Sequence, residues 1–342
     1  GAGAVAVAGI ITVFKSFPTM YNSLKMGIKD IRLKKQAEGA KKNRLDTDLP
    51  ITILGIGALI VAAVILLSPK LIGMETSLVV RLIAALSIVF FTFCFVTVSS
   101  RIVGMVGVTS NPTSGMTIVT LLGTSVVFVI MGWTDSMGQA AALTIGTVVA
   151  VGASIAGDIS QDLKAGYIIG ATPRRQQTSE LIGVLTSAFA IAAAVWLLGE
   201  AFTFGSEAIP APQATLMKSV IEGVLGGNLP WGLFLVGGAF AVMAELLKIP
   251  SLPFAVGIYL PLSTMTPIFV GGAIRHFIEK GAGKNNELKE KIKEKGILLG
   301  SGFIAGEGIA MVLVAAYAYA IKAKPAGVGI VWPGHVGDFV SL

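Results

Sequence analysis

Long apolar stretches recur along most of this sequence, and they restrict the chain to a membrane protein. Eight or nine of them, such as residues 78–100 and 296–321, are separated by short polar segments. A bilayer core about 30 Å thick needs about 20 mostly apolar residues in a helix that rises about 1.5 Å per residue. We therefore predict an all-α, polytopic transmembrane helical bundle that transports a solute, performs chemistry in the membrane or relays a signal.

The composition agrees with closely packed membrane helices and excludes several kinds of site. Hydrophobic residues make up 54% of the chain, charged residues 13%, and glycine accounts for 42 of 342 positions. The single cysteine, Cys94, excludes a disulfide framework and a thiolate metal site. His276 and His335 are both expected in aqueous regions. We therefore predict neither a bound metal nor a cofactor.

Basic residues are concentrated in two segments, which orients the chain. Nine of them lie between Lys15 and Arg44, and seven lie between Arg275 and Lys295. By the positive-inside rule both segments face the cytoplasm, so the net charge of +7 indicates orientation and no nucleic-acid partner. These segments can contact anionic membrane lipids, although a solvated helix with Lys/Glu pairs explains the second one equally well.

The apolar stretches and the basic segments together predict the organisation of the chain. Pro250, Pro253, Pro261 and Pro267 each interrupt a continuous helix, so this part is expected to enter and leave on one side or to form two half-spans. The predicted regions are the end of a truncated transmembrane helix (1–14), a basic cytoplasmic connector (15–49), a first bundle part (50–200) and a second bundle part (201–342), which contains a broken segment (250–272) and a basic cytoplasmic loop (275–295).

A second interruption lies at Asn111 and Pro112. Asn111 suits the N-cap and Pro112 the first position of a helix whose positive dipole end is free to bind an anionic group. The alternative is a capped loop at the start of a span. Interrupted backbone at membrane depth is tolerated only inside protein or beside water, so both interruptions indicate candidate sites.

Two carboxylates lie within apolar stretches. Glu307 and Asp158 each follow the letters Ile-Ala-Gly, which suggests a structural repeat of the kind found in transporters. A carboxylate at this depth costs a few kcal/mol unless it is paired, hydrated or protonated. We predict that they carry a proton, with a structural hydrogen bond as the alternative. Glu245, in contrast, is expected to pair with Lys248 near a helix end.

Residues 157–167 and 170–177 resemble the Asp-Leu-Lys-x-Gly-Tyr and Gly-Ala-x-Pro-Arg-x-Gln signature of the oligopeptide transporter (OPT) family. Three further segments, residues 110–115, 253–261 and 300–307, resemble OPT segments and follow in family order. The resemblance covers nearly the whole chain.

The resemblance implies a secondary carrier of about sixteen helices that arose by internal duplication, of which this chain looks like the C-terminal half. The N-terminal half is then an expected partner, and a homo-oligomer stays open. The family moves small peptides, glutathione-like compounds or metal chelates, usually with protons, and the metal travels inside its chelate. Short loops resemble prokaryotic members, which implies the cell (inner) membrane.

These observations give a mechanism as a hypothesis. Asn111, Pro112, Ser114 and Tyr259 bind the substrate in a cavity near the midplane, which the broken segment 252–267 also borders. Glu307, with Asp158, carries the proton. Asp162, Lys164 and Arg174 form an intracellular gate, unless they form only a solvated cluster of salt bridges.

Two other functional classes are weaker. The Asn111-Pro112 pair is typical of half-helices in water channels, but a second pair is missing. An intramembrane aspartyl protease would use Asp158, yet Ile155 replaces the expected glycine, and Asp135 follows Thr134 where a tyrosine is expected. No His-Glu-x-x-His occurs. We therefore predict that the chain is not an enzyme.

Overall fold

Helices account for nearly all of the described chain. The computed structural model describes residues 1–36, 44–68, 77–105, 107, 111–206, 209, 211–227, 230–281, 283 and 286–322. Parts of the predicted connector (37–43) and of the second bundle part (323–342, with His335), and Ser110, lie outside these residues. The helices are α1 (Ala2–Gln36), α2 (Ile51–Leu67), α3 (Leu78–Met105), α4 (Thr113–Ile130), α5 (Ser136–Ile168), α6 (Pro173–Ala201), α7 (Pro212–Leu225), α8 (Trp231–Leu246), α9 (Ser251–Tyr259), α10 (Leu262–Gly281) and α11 (Asn286–Ile321).

Five of these helices are long and apolar enough to cross a membrane: α3, α4, α5, α6 and α11. Shorter apolar helical segments lie in the first half of α1, in α2 and in α8. The predicted all-α polytopic bundle is confirmed, and the proline-rich segment is interrupted as predicted, between α9 and α10 at Leu260 and Pro261. Pro253 and Pro267, however, lie inside α9 and α10 without ending them.

The described residues form two compact units. The first unit (residues 1–185 and 213–259) is built around the apolar half of α1, whose residues Ala4, Val5, Ala6 and Ala8 are buried. There α1 packs against α3, α4, α8 and α9, while α5 packs against α3 and α4. Small side chains on α1 permit this central position because four neighbouring helices must approach it closely.

Within the first unit α1 approaches α8 closely. A Cβ atom on Gly3 would overlap the backbone carbonyl of Phe234, and one on Gly238 would lie 2.8 Å from Val7 Cγ2. Glycine is therefore required at these contacts, as in other membrane helix pairs that bring their backbones together. The tight packing fixes the first half of α8 relative to α1.

The second unit (residues 186–212 and 260–342) contains the end of α6, α10 and α11. The rings of Trp196 and Tyr319 meet edge to face with centroids 5.4 Å apart. Within the described residues α11 buries only Ala315 and Ala318, and α6 buries none. A cavity of about 320 Å³ lies between α10 and α11. The apolar faces of these helices are available to lipid or to further protein.

Three segments differ in detail from the organisation that the sequence predicts. Residues 15–36 continue α1 through Pro18. The segment after residue 200 contains α7, which buries Met217 and Ile221. The basic residues from 275 to 295 lie largely in the end of α10 and the start of α11.

This basic region carries helical ion pairs. Arg275 pairs with Glu279 and Lys291 with Glu287, each at 2.7 Å and four residues apart. The hydrogen bond from Arg275 lowers the pKa of the Glu279 carboxyl below its ordinary value. Solvated helical pairs therefore describe this region, as one of the two interpretations of its sequence expected.

Candidate functional site

The Asn111 turn joins α3 to α4 beside α5. Pro112 occupies the N-cap position of α4 without a side-chain cap bond, so the prediction that Asn111 is the N-cap was wrong by one residue. The Asn111 side chain instead donates a hydrogen bond from Nδ2 to the carbonyl of Ala153 on α5, at 3.3 Å. The Asn111 amide bonds to a neighbouring helix instead of capping its own helix. Local sequence spacing does not reveal such a partner.

Polar side chains surround this turn at the contact of α3 with α5. Ser99 also donates to the Ala153 carbonyl, and the hydroxyls of Ser100 and Ser160 are hydrogen-bonded to each other. Gly157 allows the approach, because a Cβ atom there would lie 2.8 Å from Asn111 Nδ2 and 3.2 Å from Ser99 Oγ. We call Ser99, Ser100, Asn111 and Ser160 the polar seam.

One atom of the polar seam has no partner among the described residues. Asn111 Oδ1 is buried and accepts no hydrogen bond from them. A buried amide oxygen without a partner costs about 1–3 kcal/mol, so such a group is a candidate contact for a polar ligand. This feature makes Asn111 a candidate site residue.

Pro112 and Ser114 lie near the same place. Pro112 lines a narrow crevice between α1, α3 and α4, where Thr12 and Met116 also lie and which is too small for water. Ser114 is half-buried, and the next residue, Gly115, packs against the Gly9 backbone. The structure therefore brings Asn111, Pro112 and Ser114 together at the start of α4.

Tyr259 occupies a different position in the first unit. It ends α9, and its hydroxyl donates a hydrogen bond to Gln213 Oε1 on α7. The described residues include no hydrogen bond between Tyr259 and Asn111, Pro112 or Ser114. Gln213 is a contact of Tyr259 that sequence reasoning missed, because the two residues are 46 positions apart.

Asp158 and Asp162 lie one turn apart on α5. Both are exposed in this chain. Asp162 interacts electrostatically with Asp158 and with Glu180 on α6, so three carboxylates are neighbours. Glu180 was missed by the sequence reasoning, although an acid immediately before the apolar residues 181–198 is a visible signal.

The predicted gate residues form no ion pair with one another in the described part of the chain. Lys164 Nζ donates to the carbonyl of Met105 at the end of α3, at 3.4 Å. The Arg174 backbone N–H donates to the Thr47 carbonyl at 2.8 Å. Asp162, Lys164 and Arg174 thus lie near the ends of α3 and α5 and the start of α6, without the cluster of salt bridges that was one interpretation.

Glu307 lies in the second unit. It is exposed on α11 between Gly306 and Gly308, and a Cβ atom on either glycine would meet nothing within 4 Å. No described residue forms a salt bridge or hydrogen bond with its carboxylate. Among the residues that the structure describes, no group of three or more His, Cys, Asp or Glu side chains could hold a metal ion.

Comparison with known proteins identifies the family. A family model described as OPT oligopeptide transporter protein matches residues 1–318. The chain belongs to the OPT family. OPT proteins are transporters, and with its five long apolar helices this chain is an integral, multi-pass membrane protein.

The OPT chain is similar to named proteins from bacteria, fungi and plants. A Haemophilus influenzae protein named as an oligopeptide transporter is 30% identical over 92% of this chain and 56% of its own length. A Saccharomyces cerevisiae protein, also named as an oligopeptide transporter, is 30% identical over 49% of this chain and 25% of its own length. An Oryza sativa protein named as a metal-nicotianamine transporter is 29% identical over 61% of this chain and 30% of its own length.

The chain therefore spans about half the length of the bacterial relative. No solved structure matches it.

One signature segment of the OPT chain has a structural role that its sequence did not reveal. Gln177 Oε1 accepts a hydrogen bond from the Leu49 backbone N–H at 2.8 Å, and its Nε2 donates to Asp48 Oδ1 at 3.5 Å. Together with the bond from Arg174 to Thr47, these contacts hold the segment before α2 against the start of α6.

We expect Gln177→Leu to release this segment from α6. The variant loses two hydrogen bonds, and cleavage of the full-length OPT protein by trypsin after Arg44 should become ~3–10-fold faster. Ser179→Ala is the matched control, because within the part of the chain that the structure describes this exposed hydroxyl donates to its own helix, at the Arg175 carbonyl. Equal cleavage rates in the two variants would contradict this role.

Proposed function

We propose that the chain is half of a proton-coupled secondary transporter that moves small peptides, or peptide-like compounds such as metal chelates, across the cell (inner) membrane. Membership of the OPT family supports a transporter, and the names of the relatives support these two substrate classes. The match to 56% of the bacterial relative supports a second half of comparable size, which we take to be the N-terminal half.

The observation that carries a substrate site is the Asn111 turn. Its buried Oδ1 atom has no described hydrogen-bond donor, and the first N–H groups of α4 begin directly after it. A peptide can satisfy both groups. Its N–H group can donate to Asn111 Oδ1, and its carboxylate can bind at the positive end of α4. In this proposal Asn111, Pro112 and Ser114 bind the polar backbone of the substrate.

Tyr259 contributes to the wall of the route. Its bond to Gln213 fixes the direction of the phenol ring, so that an edge of the ring and the hydroxyl oxygen can serve as apolar and polar contacts. The break after Tyr259 supports this assignment, because interrupted backbone in a membrane requires protein or water beside it.

Glu307 and Asp158 carry the coupled proton in this proposal. Both lie on helices of membrane-spanning length, where a carboxylate without a partner is costly unless it is hydrated or protonated. Asp162, Lys164 and Arg174 gate the cytoplasmic end. Their absence from ion pairs with one another is compatible with a gate in an open arrangement.

The second half of the protein is the proposed neighbour of α11. Gly300, Gly302, Gly306 and Gly308 have no described atom within 4 Å of an added Cβ, and Glu307 lies among them. Small residues let membrane helices approach closely, so this surface suits a packed helix better than lipid alone. A buried partner group there would also satisfy the carboxylate.

The test is uptake by the purified full-length protein in liposomes. The panel contains a tripeptide, glutathione and iron–nicotianamine, each with and without an inward proton gradient. Saturable uptake of one compound that the gradient stimulates supports the proposal. Non-saturable flux would favour the channel, cleavage of the tripeptide would favour the protease, and no difference from protein-free liposomes for any compound would contradict the proposed substrates.

A further inference from the structure

Three helices of the first unit meet at one carboxylate, Glu245. Its Oε1 atom forms an ion pair with Lys15 of α1, 230 residues away, and its Oε2 atom accepts a hydrogen bond from Ser251 Oγ of α9 at 2.8 Å. The expected pair with Lys248 does not form. Lys248 has a φ of 61° just after the end of α8, which directs the chain away from the helix axis.

The surroundings of this carboxylate differ from those of an ordinary surface ion pair. Ser251 is 4% exposed, and the side chain of Glu245 is 25% exposed, whereas that of Lys15 is 63% exposed. Ser251 is also the first residue of α9, so the negative charge lies at the positive end of that helix. Exposed pairs are worth little, but a carboxylate held by two partners and a helix end is better fixed.

The short helix α9 depends on such contacts for its position. It has nine residues, which is too few for a helix to be stable by itself. Ala255 in its middle is fully buried, α9 packs on α1 and α8, and its last residue is bonded to Gln213. After Tyr259 the helix is interrupted, so α9 can move without carrying α10 as one rigid rod.

We propose that Lys15, Glu245 and Ser251 form a clamp that holds α9 against α1 and α8, and that its opening releases α9 during transport. Glu245 is thus a positioning residue for the broken segment. The proposal rests on the proposed function only where it places α9 beside the route. The contacts of the clamp themselves are seen in the structure.

The test measures how often α9 leaves its site. In the full-length protein, Cys94 and any other cysteine are replaced, and Ala255→Cys is introduced as a buried reporter. Reaction of this thiol with N-ethylmaleimide requires α9 to move away. Glu245→Gln keeps the size and the Ser251 bond but loses the charge, and we expect labelling to become ~10-fold faster.

Glu222→Gln is the matched control, because Glu222 also pairs with a lysine, Lys218, at 3.6 Å but on the exposed surface of a single helix. We expect its labelling rate to stay within ~2-fold of the reporter protein. Lys15→Gln removes the charge of the other partner of the pair and should also accelerate labelling, by ~3–10-fold. Faster labelling in both Glu245→Gln and Lys15→Gln supports the clamp.

Equal labelling in Glu245→Gln and Glu222→Gln overturns the proposal, and so does unchanged labelling in Lys15→Gln. Should Glu245→Gln fail to fold, Ser251→Ala supplies the answer, since it keeps the ion pair and should accelerate labelling ~3-fold. No acceleration in that variant would overturn the clamp. Labelling is measured without substrate, so a failed uptake experiment leaves this result unaffected.

Discussion

Glu307→Gln is expected to abolish the stimulation of uptake by a proton gradient. Glutamine keeps the shape of the side chain but cannot exchange a proton, so the substrate can no longer be driven by protons through this group. Coupling between two ligands of a transporter typically changes affinity ~5–150-fold, and this factor should fall to one in the variant. Exchange of substrate without a gradient should persist.

The measurement is proton uptake with a pH-sensitive dye in liposomes that contain the full-length protein. The substrate is the compound of the uptake panel with the highest rate. Glu294→Gln is the matched control, because Glu294 lies on the same helix among the exposed, charged residues at the start of α11. Asp158→Asn, tested in parallel, shows whether the second carboxylate shares the proton.

An unchanged number of protons per substrate in Glu307→Gln would remove this residue from the mechanism. Loss of coupling in Asp158→Asn alone would assign the coupled proton to Asp158 on α5. Loss in the Glu294→Gln control as well would indicate an effect of surface charge on the measurement. These results separate a proton carrier from a carboxylate that only bonds to a neighbouring helix.

The long helices could be predicted from the length of the apolar stretches, because the thickness of the bilayer sets that length. The stretch 78–100 became α3 (Leu78–Met105), and the prolines around residue 260 interrupt the chain where expected. The helix α7 was not predicted, since its buried residues are interspersed with polar ones and its charged residues, Lys218 and Glu222, suggest an exposed loop. Helices at a membrane surface lack the length signal of a span.

The partners of polar side chains could not be predicted. Asn111 bonds to Ala153, 42 residues away, and Glu245 bonds to Lys15, 230 residues away, although a suitable local partner was present in each case. Gln177 was visible only as part of a family signature. Local spacing describes a helix and its ends, while side-chain partners depend on which helices pack together.

Asn111→Ala is expected to weaken substrate binding with little loss of stability. The Ala153 carbonyl keeps its second donor, Ser99, so the thermal midpoint of the purified protein should fall by no more than ~2 °C. The variant removes Oδ1, which we propose as the acceptor for the substrate. The loss of one such bond should raise the KM for uptake ~10-fold and leave kcat nearly unchanged.

Ser99→Ala is the matched control because it removes the other donor to the same carbonyl, at the same contact between α3 and α5. If Asn111 served only to hold α5, the two substitutions would have equal effects, since each leaves the carbonyl with one bond. A rise in KM confined to Asn111→Ala therefore assigns the side chain to the substrate. Equal changes in both variants would show that the turn is structural, and the start of α4 would lose its place in the transport route.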